Sequence, residues 1–316
     1  AICFAIAATQ PEPDPSPAAA PPSWLVQIES KSAPDAPPTF APGFISTSGS
    51  VITTLDSLAS TTEAAILTPD GQRHPTRGIV AHRASANLAA LVVDWSGPAP
   101  DRAPLAASSP KPGASLTAWL LPYPPEKPVQ SGSIAGSRLS GPCFQLDIPR
   151  SLALCRSGAI AVDDQGRVIG LGASAQLITP PDDATRLSLA RPELLAALKP
   201  GDLVKWSDWP ATRERYKRAE ELSTEALANA QRNQLKLASR QVSQALVFDP
   251  VCAAGLRAKG DILKRAGRTA EALTAYDVAI TIDPTDTLCL ARRASLIPQL
   301  KTADEALAAI DDALSK

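Results

Sequence analysis

The sequence predicts a multidomain protein in which an all-β region is followed by a C-terminal all-α region. Up to Ile178 the chain reads as short apolar or alternating runs, each bounded by Gly, Pro, Asp or Ser. From Arg213 onwards the apolar residues follow a helical spacing, and two Asp-Pro pairs place Pro250 and Pro284 34 residues apart. A length of 316 residues agrees with roughly two domains of ~150 residues. We therefore expect an antiparallel barrel or sandwich, followed by helical hairpins.

The N-terminal residues have the composition of an export signal. The chain opens on the small apolar stretch AICFAIAA, which has an A-x-A-like pattern at Ala5–Ala7, and continues as PEPDPSPAAAPP. Residues 1–23 are therefore predicted to be a signal-peptide remnant and a Pro-rich spacer. The alternative is a frayed hydrophobic terminus. The prediction places the protein in the periplasm or outside the cell, and no other run is long enough to span a bilayer.

Eleven runs between Trp24 and Ile178 have the length and composition of β-strands. They are WLVQIES, GFIST, SVITT, AAILT, RGIVAH, LAALVVD, SLTAWLL, SGSIAGSRL, CFQLDI, GAIAV and RVIGLGA. Pro-Asp-Gly at 69–71 and Asp-Asp-Gln-Gly at 163–166 are typical of hairpin turns. Short strands at this regular spacing imply an antiparallel barrel or sandwich.

The region from 213 to 316 contains an internal repeat of 34 residues. Rows of 34 align Leu222 with Leu256 and Leu290; Ala226 with Gly260 and Ala294; Ala238 with Ala272 and Ala306; Val242 with Tyr276 and Ile310; and Ala245 with Ala279 and Ala313. Small residues let paired helices approach closely, larger apolar residues fill the space between them, and Asp-Pro ends the second helix. The period therefore predicts three helical hairpins, of which Pro298 is expected to shorten or kink the last.

This repeat resembles the tetratricopeptide (TPR) family, whose pattern is matched at Gly260, Ala272, Tyr276, Ala279 and Pro284. The resemblance implies three TPR-like repeats over residues 213–316. An unrelated alanine-rich bundle is the alternative. Residues 199–212 are predicted to link the two regions, with Trp206, Trp209 and the helix around Leu194–Leu198 covering the first repeat.

Four segments of the β-rich region resemble, in order, the trypsin-fold peptidases of the HtrA/Deg type. GFISTSGSVITTLDSLAS resembles the histidine-bearing segment, and TPDGQRHPTRGIVAHRASANLAALVVD resembles the hairpin that ends in the aspartate-bearing strand. PYPPEKPVQSGSIAGSRL and CFQLDIPRSLALCRSGAIAVDDQGRVIGLGAS resemble the later strands, the nucleophile loop and the final hairpin. The resemblance implies a trypsin-like double barrel over residues 24–198.

The same resemblance places the catalytic positions of the family. Ser157 stands at the nucleophile position, but Ser57 stands at the histidine position and Asn87 at the aspartate position. Cys155 replaces the glycine whose N–H points at the oxyanion, and a side chain resists turn conformations that glycine adopts. A serine hydroxyl is a poor nucleophile without a positioned base, and neither Ser57 nor Asn87 exchanges a proton near neutral pH. The resemblance therefore implies an inactive peptidase domain.

A substitute base for Ser157 is not apparent in the sequence. The chain has two histidines, His74 and His82, and both are expected at the surface, away from Ser157. Asp56 lies beside Ser57, but a Ser–Asp pair without an imidazole transfers protons poorly.

We expect neither a cofactor nor a metal ion. GLGASA at 170–175 matches a dinucleotide-binding pattern, but Pro180-Pro181 follows too soon for the helix that the pattern requires. The five cysteines are too few and too scattered for a zinc site or a disulfide framework. Cys143 and Cys155 are candidates for a disulfide in an oxidising compartment, and buried free thiols are the alternative.

Together these features predict a pseudopeptidase that serves as a scaffold or adaptor, with a protein or peptide partner in the groove of the repeats. A net charge of -1 without a basic cluster gives no reason to expect nucleic acid or an anionic membrane. An active serine endopeptidase with a non-standard base is the alternative, and a barrel that only caps the repeats is a third.

The predicted partner-binding residues are Arg257, Asp261, Lys264 and Arg265, whose spacing places them on one helix face. Their local positive excess suits an acidic segment or a C-terminal carboxylate. The alternative is a set of i,i+4 ion pairs on a solvated face.

Overall fold

The structure is a computed structural model that describes residues 22–98, 100–111, 114–119, 129–133, 136–140, 143–149, 159–174 and 184–297. Several predicted features lie outside the described residues. They are the signal-like residues 1–21, Cys155, Ser157, and the part of the third repeat that begins at Pro298.

Six strands close into the first β-barrel. They are β1 (Leu25–Lys31), β2 (Thr39–Ile45), β3 (Val51–Thr54), β4 (Glu63–Leu67), β5 (Arg73–Arg83) and β6 (Leu88–Val93). Each strand pairs antiparallel with its neighbours in the order β5-β4-β1-β2-β3-β6, and β5 also pairs with β6, which closes the sheet. The long β5 reaches both partners because its register shifts at two points, between Thr76 and Gly78 and between Ile79 and Ala81. Apolar side chains such as Ile28, Phe44 and Leu91 fill the interior.

A second antiparallel sheet follows in the chain. Its strands are β7 (Ser115–Trp119), β8 (Val129–Ser133), β9 (Gly136–Ser140), β10 (Cys143–Pro149), β11 (Ile160–Val162), β12 (Val168–Ser174) and β13 (Ala184–Ala190), in the order β8-β7-β11-β12-β13-β10-β9. The predicted run SGSIAGSRL spans parts of two strands, β8 and β9. Strand β13 was missed although its ATRLSLA sequence alternates polar and apolar residues, because the strand prediction ended at Ile178. Residues 170–174 of the dinucleotide-like motif lie within β12, paired on both sides.

Within the described residues, six α-helices follow the second sheet in the chain. They are α1 (Pro192–Ala197), α2 (Trp209–Gln231), α3 (Leu235–Phe248), α4 (Ala253–Arg265), α5 (Thr269–Ile282) and α6 (Thr287–Ala294). The turns that join α2 to α3 and α4 to α5 contain Asn233 and Gly267, both at positive φ (62° and 75°), which these two residue types adopt readily. The coarser part of the fold prediction, a β-barrel region followed by a helical region, is confirmed.

Helices α4 and α5 approach closely at Gly260. A Cβ atom at this position would lie 2.4 Å from Cε1 of Tyr276, so the fully buried tyrosine ring packs directly on the backbone of α4. The hydroxyl of Tyr276 donates to Oδ1 of Asp261 at 2.6 Å, which satisfies the phenol inside the helical layer. This contact explains why a small residue on α4 faces an aromatic residue on α5 in this hairpin.

The segment 199–212, predicted as a linker, packs against the first barrel. Its residues Val204–Lys205 form a short strand, β14, which pairs with Gly78 and Ile79 of β5, and α2 already begins at Trp209. The indole N–H of Trp206 donates to Oγ1 of Thr76 at 2.9 Å. Both tryptophans are buried in the same apolar cluster as the barrel interior, and the leucines of α1 join that cluster. The helical region is therefore held against the barrel.

Candidate functional site

The two residues at the predicted histidine and aspartate positions lie side by side. Ser57 belongs to a 3₁₀ turn, Asp56–Leu58, directly after β3, and Asn87 follows a 3₁₀ turn between β5 and β6. Oδ1 of Asn87 accepts a hydrogen bond from the backbone N–H of Asp56 at 2.8 Å, and its carbonyl accepts from the N–H of Leu55 at 2.9 Å. The tertiary structure thus brings together two positions that the resemblance had matched only in sequence to the histidine and aspartate of the family.

This arrangement provides no base at either position. The hydroxyl of Ser57 donates to the carbonyl of Thr54 at 2.7 Å, so its proton is used within the turn. The amide of Asn87 supports the backbone beside Ser57, and an amide does not take up a proton near neutral pH. Asp56 is exposed and faces Arg213 of α2, at 3.7 Å between Oδ1 and Nη2. Ser157 and Cys155 lie outside the described residues.

His74 is buried within the first barrel, and the prediction of a surface position is wrong. Only 5% of the residue is exposed. Its Nδ1 lies 3.0 Å from Oγ of Ser96, and its ring packs against Trp95 with the ring centroids 5.0 Å apart. The prediction failed because the turn composition around Asp70-Gly71 suggested exposure, whereas His74 points inward from β5.

His82 is also buried, which again contradicts the predicted surface position. Its Nε2 lies 3.1 Å from Oδ2 of Asp249, and its ring stacks on Tyr216 with 3.7 Å between centroids and 9° between planes. The partners come from α2 and from the turn after α3, at the other end of the chain. The polar partners of the two histidine rings are thus Ser96 and Asp249.

A cavity of about 390 Å³ opens on the face formed by α2, α4 and α6. Its lining residues are Leu227, Ala230 and Gln231 of α2, Asp261, Lys264 and Arg265 of α4, and Arg292 of α6. Three of the four predicted partner-binding residues therefore meet at one cavity. Arg292 was not predicted, and the only sequence signal for it is its position in the predicted first helix of the third 34-residue row.

Arg257 and Asp261 contribute mainly to packing between helices. Nη1 of Arg257 lies 2.5 Å from Oδ2 of Asp286, whose other oxygen accepts from the N–H of Cys289 and caps α6. Asp261 is buried, accepts from Tyr276, and pairs with Arg292. Both ion pairs join α4 to α6.

Lys264 and Arg265 are exposed beside the same cavity. The ammonium of Lys264 reaches Oγ of Ser295 at 2.9 Å, a bond to a neutral partner that leaves its charge uncompensated. Burial, and then the neighbouring Arg257, lower the pKa of Arg292, which still carries a positive charge at neutral pH. Three cations and one carboxylate line the cavity, so its charge is positive.

In the described ranges, no group of three or more His, Cys, Asp and Glu side chains is arranged to hold a metal ion. Cys252 and Cys289 are free, buried thiols. The side chains of Cys143 and Cys155 lie outside the described residues, so their pairing stays a prediction. Among the helices described, none has the length and apolar character needed to cross a membrane.

Comparison with protein-family models and with curated proteins finds no match. Among solved structures, the active form of a protease from M. tuberculosis is similar at 21% identity with a TM-score of 0.46, covering 65% of this chain and 98% of the other. A serine endoprotease from Yersinia pestis is similar at 20% identity with a TM-score of 0.44, covering 55% of this chain and 60% of the other. This chain thus spans less than two thirds of the Yersinia protein.

Proposed function

We propose that the chain is an inactive trypsin-like peptidase domain of the HtrA/Deg type, joined to TPR-like repeats that bind an acidic segment of a partner protein. The protein would act as a scaffold or adaptor in an exported setting. The observation that carries the proposal is the contact between Asn87 and the turn of Ser57. Two positions that the resemblance assigns to a histidine and an aspartate are neighbours, and neither side chain is a base.

The inactivity follows from the chemistry of these two side chains. A serine nucleophile needs a group that takes its proton and returns it to the leaving group. Enzymes of this type that lose a triad member retain only ~10³–10⁴-fold catalysis over water, which depends on the oxyanion hole. Both histidines of the chain are engaged elsewhere, His74 with Ser96 and His82 with Asp249. We infer that neither imidazole replaces the missing base.

Active-site labelling tests the inactivity. The full chain should neither take up a fluorophosphonate probe nor cleave unfolded casein, because Ser157 has no base. The control is the Ser157→Ala variant, which should give the same background. Stoichiometric labelling that disappears in Ser157→Ala would replace this proposal with the alternative, an active serine endopeptidase with a non-standard base.

The binding part of the proposal rests on the charge of the cavity. Lys264, Arg265 and Arg292 present cations to a cavity that also has the apolar wall Leu227 and Ala230. Charge-assisted hydrogen bonds to carboxylates are about twice as strong as those between neutral groups. An extended acidic segment therefore suits the three cations of this cavity. Among the residues predicted from sequence, Lys264 and Arg265 are the proposed contacts, while Arg257 and Asp261 support them.

Binding of a defined acidic peptide tests the groove. A short Glu- and Asp-rich peptide should bind the full chain saturably at low salt, and a Gln/Asn version of the same peptide should not. Lys264→Glu with Arg265→Glu should abolish binding. The matched control is Lys236→Glu with Arg240→Glu, which changes two exposed cations on α3, outside the cavity. Equal loss in both variants, or no binding by the native chain, would remove the groove from the proposal.

The exported setting is supported only by the composition of residues 1–23. Fractionation of host cells that express the complete natural protein tests it. Recovery in the cytoplasmic fraction alone would contradict this part and leave the binding proposal unaffected.

A further inference from the structure

The end of strand β5 reaches the two turns that follow α3 and α5. His82 lies against the turn after α3, with Nε2 3.1 Å from Oδ2 of Asp249. The next residue, Arg83, donates from Nε to the carbonyl of Ile282, the last residue of α5, at 3.1 Å. Two consecutive residues of the barrel therefore contact two successive helical hairpins.

The guanidinium of Arg83 is held at more than one point. Its Nη1 donates to the carbonyl of His82 at 2.7 Å, while Nε is used for Ile282. Burial lowers the pKa of Arg83, and the carboxylates of Asp249 and Asp283, one from each turn, raise it. The side chain keeps its charge at neutral pH, because a guanidinium does not lose its proton in proteins. One cation of the barrel thus interacts with both turns.

The two contacted turns occupy equivalent positions of the 34-residue repeat. Oδ1 of Asp249 accepts from the N–H of Val251 at 3.1 Å, and Oδ1 of Asp283 accepts from the N–H of Thr285 at 3.0 Å. In a repeat array, the small rotation between neighbouring repeats determines the curvature of the whole array. A body that contacts equivalent points of two neighbouring repeats therefore restricts this rotation.

The first hairpin is also attached to the barrel through α2. The indole of Trp209 donates to the carbonyl of Leu58 at 2.7 Å, and the ring of Tyr216 stacks on His82 with 3.7 Å between centroids. The first two turns of α2 are thus held, so the first hairpin moves with the barrel. The hydrogen bond from Arg83 extends this attachment to the second hairpin.

We propose that Arg83 is a positioning residue, through which the barrel sets the angle between the first two helical hairpins and with it the shape of the groove. The cavity lies across both hairpins, because α2 belongs to the first and α4 to the second. A change of this angle alters the distance between the apolar wall Leu227 and Ala230 and the cations Lys264 and Arg265. The barrel then has a role that requires no catalysis.

A fixed angle favours binding for an entropic reason. Units of one chain that meet through a small polar interface are expected to move relative to each other. An array that is already ordered loses less conformational freedom when a ligand binds, and its affinity is higher for that reason. The effect on a ligand rests on the proposed binding function, whereas the effect on the angle does not.

Distances between spin labels test the angle directly. The labels are attached through an introduced keto amino acid, which leaves the five cysteines of the chain unmodified. One pair joins the exposed positions Gln244 of α3 and Thr274 of α5, and so spans the two hairpins; a second pair joins Lys259 of α4 to Thr274, within the second hairpin. In Arg83→Ala the distance distribution of the first pair should broaden. That of the second pair should stay as in the native chain, because the hairpin keeps its own packing.

Arg77→Ala is the matched control. Arg77 also lies on β5, but its Nε pairs with Oδ1 of Asp94 at 3.0 Å, so its replacement removes the same charge away from the turns. Its distributions should match those of the native chain. Native width in Arg83→Ala, or equal broadening in Arg77→Ala, would overturn the proposal. If Arg83→Ala does not fold, Arg83→Lys takes its place, because one ammonium cannot occupy the positions of both Nε and Nη1; native width in that variant would have the same consequence.

The Glu- and Asp-rich peptide provides the functional measurement. It should bind Arg83→Ala at least about fivefold more weakly than the native chain, the lower end of typical coupling between two sites, and Arg77→Ala with native affinity. Arg83 is not one of the residues that line the cavity, so this loss would be transmitted through the hairpins. Native affinity despite broader distances would overturn the link between the angle and the groove. A native chain that does not bind the peptide would remove the binding function alone, because the distance measurement needs no ligand.

Discussion

The indole N–H of Trp209 donates to the carbonyl of Leu58 at 2.7 Å, across the boundary between the helical region and the barrel. Leu58 ends the 3₁₀ turn that carries Ser57, so the first turn of α2 is fixed to the segment at the candidate catalytic position. The indole is fully buried, so water does not compete for this hydrogen bond. The attachment of the helices and the shape of this turn are therefore coupled.

Trp209→Phe should loosen this attachment. The substitution leaves the buried Leu58 carbonyl without its donor, which costs about 1–3 kcal/mol. We expect the urea midpoint of the helical transition, followed by far-UV circular dichroism, to decrease. Trp95→Phe is the control, because Trp95 packs on His74 within the barrel. Equal decreases in the two variants would contradict a specific role for Trp209.

Gly260→Ala should destabilise the helical region although alanine favours helices. The added methyl group would meet the Tyr276 ring at 2.4 Å, and overpacking of this kind costs roughly 1–3 kcal/mol, more than the ~1 kcal/mol gained in helix propensity. Urea unfolding of the full chain measures the loss. Lys259→Ala, at the exposed neighbouring position, should change the free energy of unfolding by less than about 0.5 kcal/mol. A stabilised Gly260→Ala protein would show that α4 and α5 do not pack as described.

Asn87→Ala should destabilise the first barrel by about 1–2 kcal/mol. It removes the acceptor for the Asp56 N–H, and it places alanine at a φ of 54°, in the left-handed region that asparagine tolerates. Asn87→Asp is the matched variant, because it retains both the acceptor and the tolerance for this φ. We expect its thermal midpoint to stay close to that of the native chain. Equal stability of the alanine variant would mean that Asn87 does not support the Ser57 turn.

The thiol of Cys289 should be unreactive in the folded protein. Burial, and then the nearby Asp286 carboxylate, raise its pKa to about 12. At about pH 8 its thiolate fraction is roughly a thousandfold below that of a free cysteine, and thiolate is the reacting species. Alkylation followed by peptide mass spectrometry should modify Cys289 only after denaturation. Rapid labelling of the native chain would contradict the packing of α6.

The same group should contribute to a loss of stability at alkaline pH. The unfolded thiol, with an ordinary pKa near 9.0, releases its proton before the folded thiol, whose pKa is about 12. The stabilisation is complete below the unfolded value and is lost as the pH rises from there towards the folded value. The Cys289→Ala variant should therefore show a shallower decrease in the free energy of unfolding over this interval. If the free energy of unfolding of the variant decreased as steeply as that of the native chain, the loss of stability would come from other groups.

The sequence by itself determined the change from a β-rich region to a helical region and the 34-residue period. These features depend on local alternation, turn residues and helix spacing, which are properties of neighbours in the chain. It also singled out Gly260 and Tyr276 as members of one repeat, and the structure places them in direct contact. The absence of a histidine at position 57 and of an aspartate at position 87 is likewise written in the sequence.

Only the tertiary structure decided the environments of the two histidines. His82 looked exposed in sequence because the residues that cover it, Tyr216 and Asp249, come from a different region of the chain. The roles of Arg257 and Asp261 were decided in the same way, because their partners Asp286 and Arg292 lie on another helix. Burial and ion pairing depend on which distant segments meet, and this is determined by packing across the whole chain.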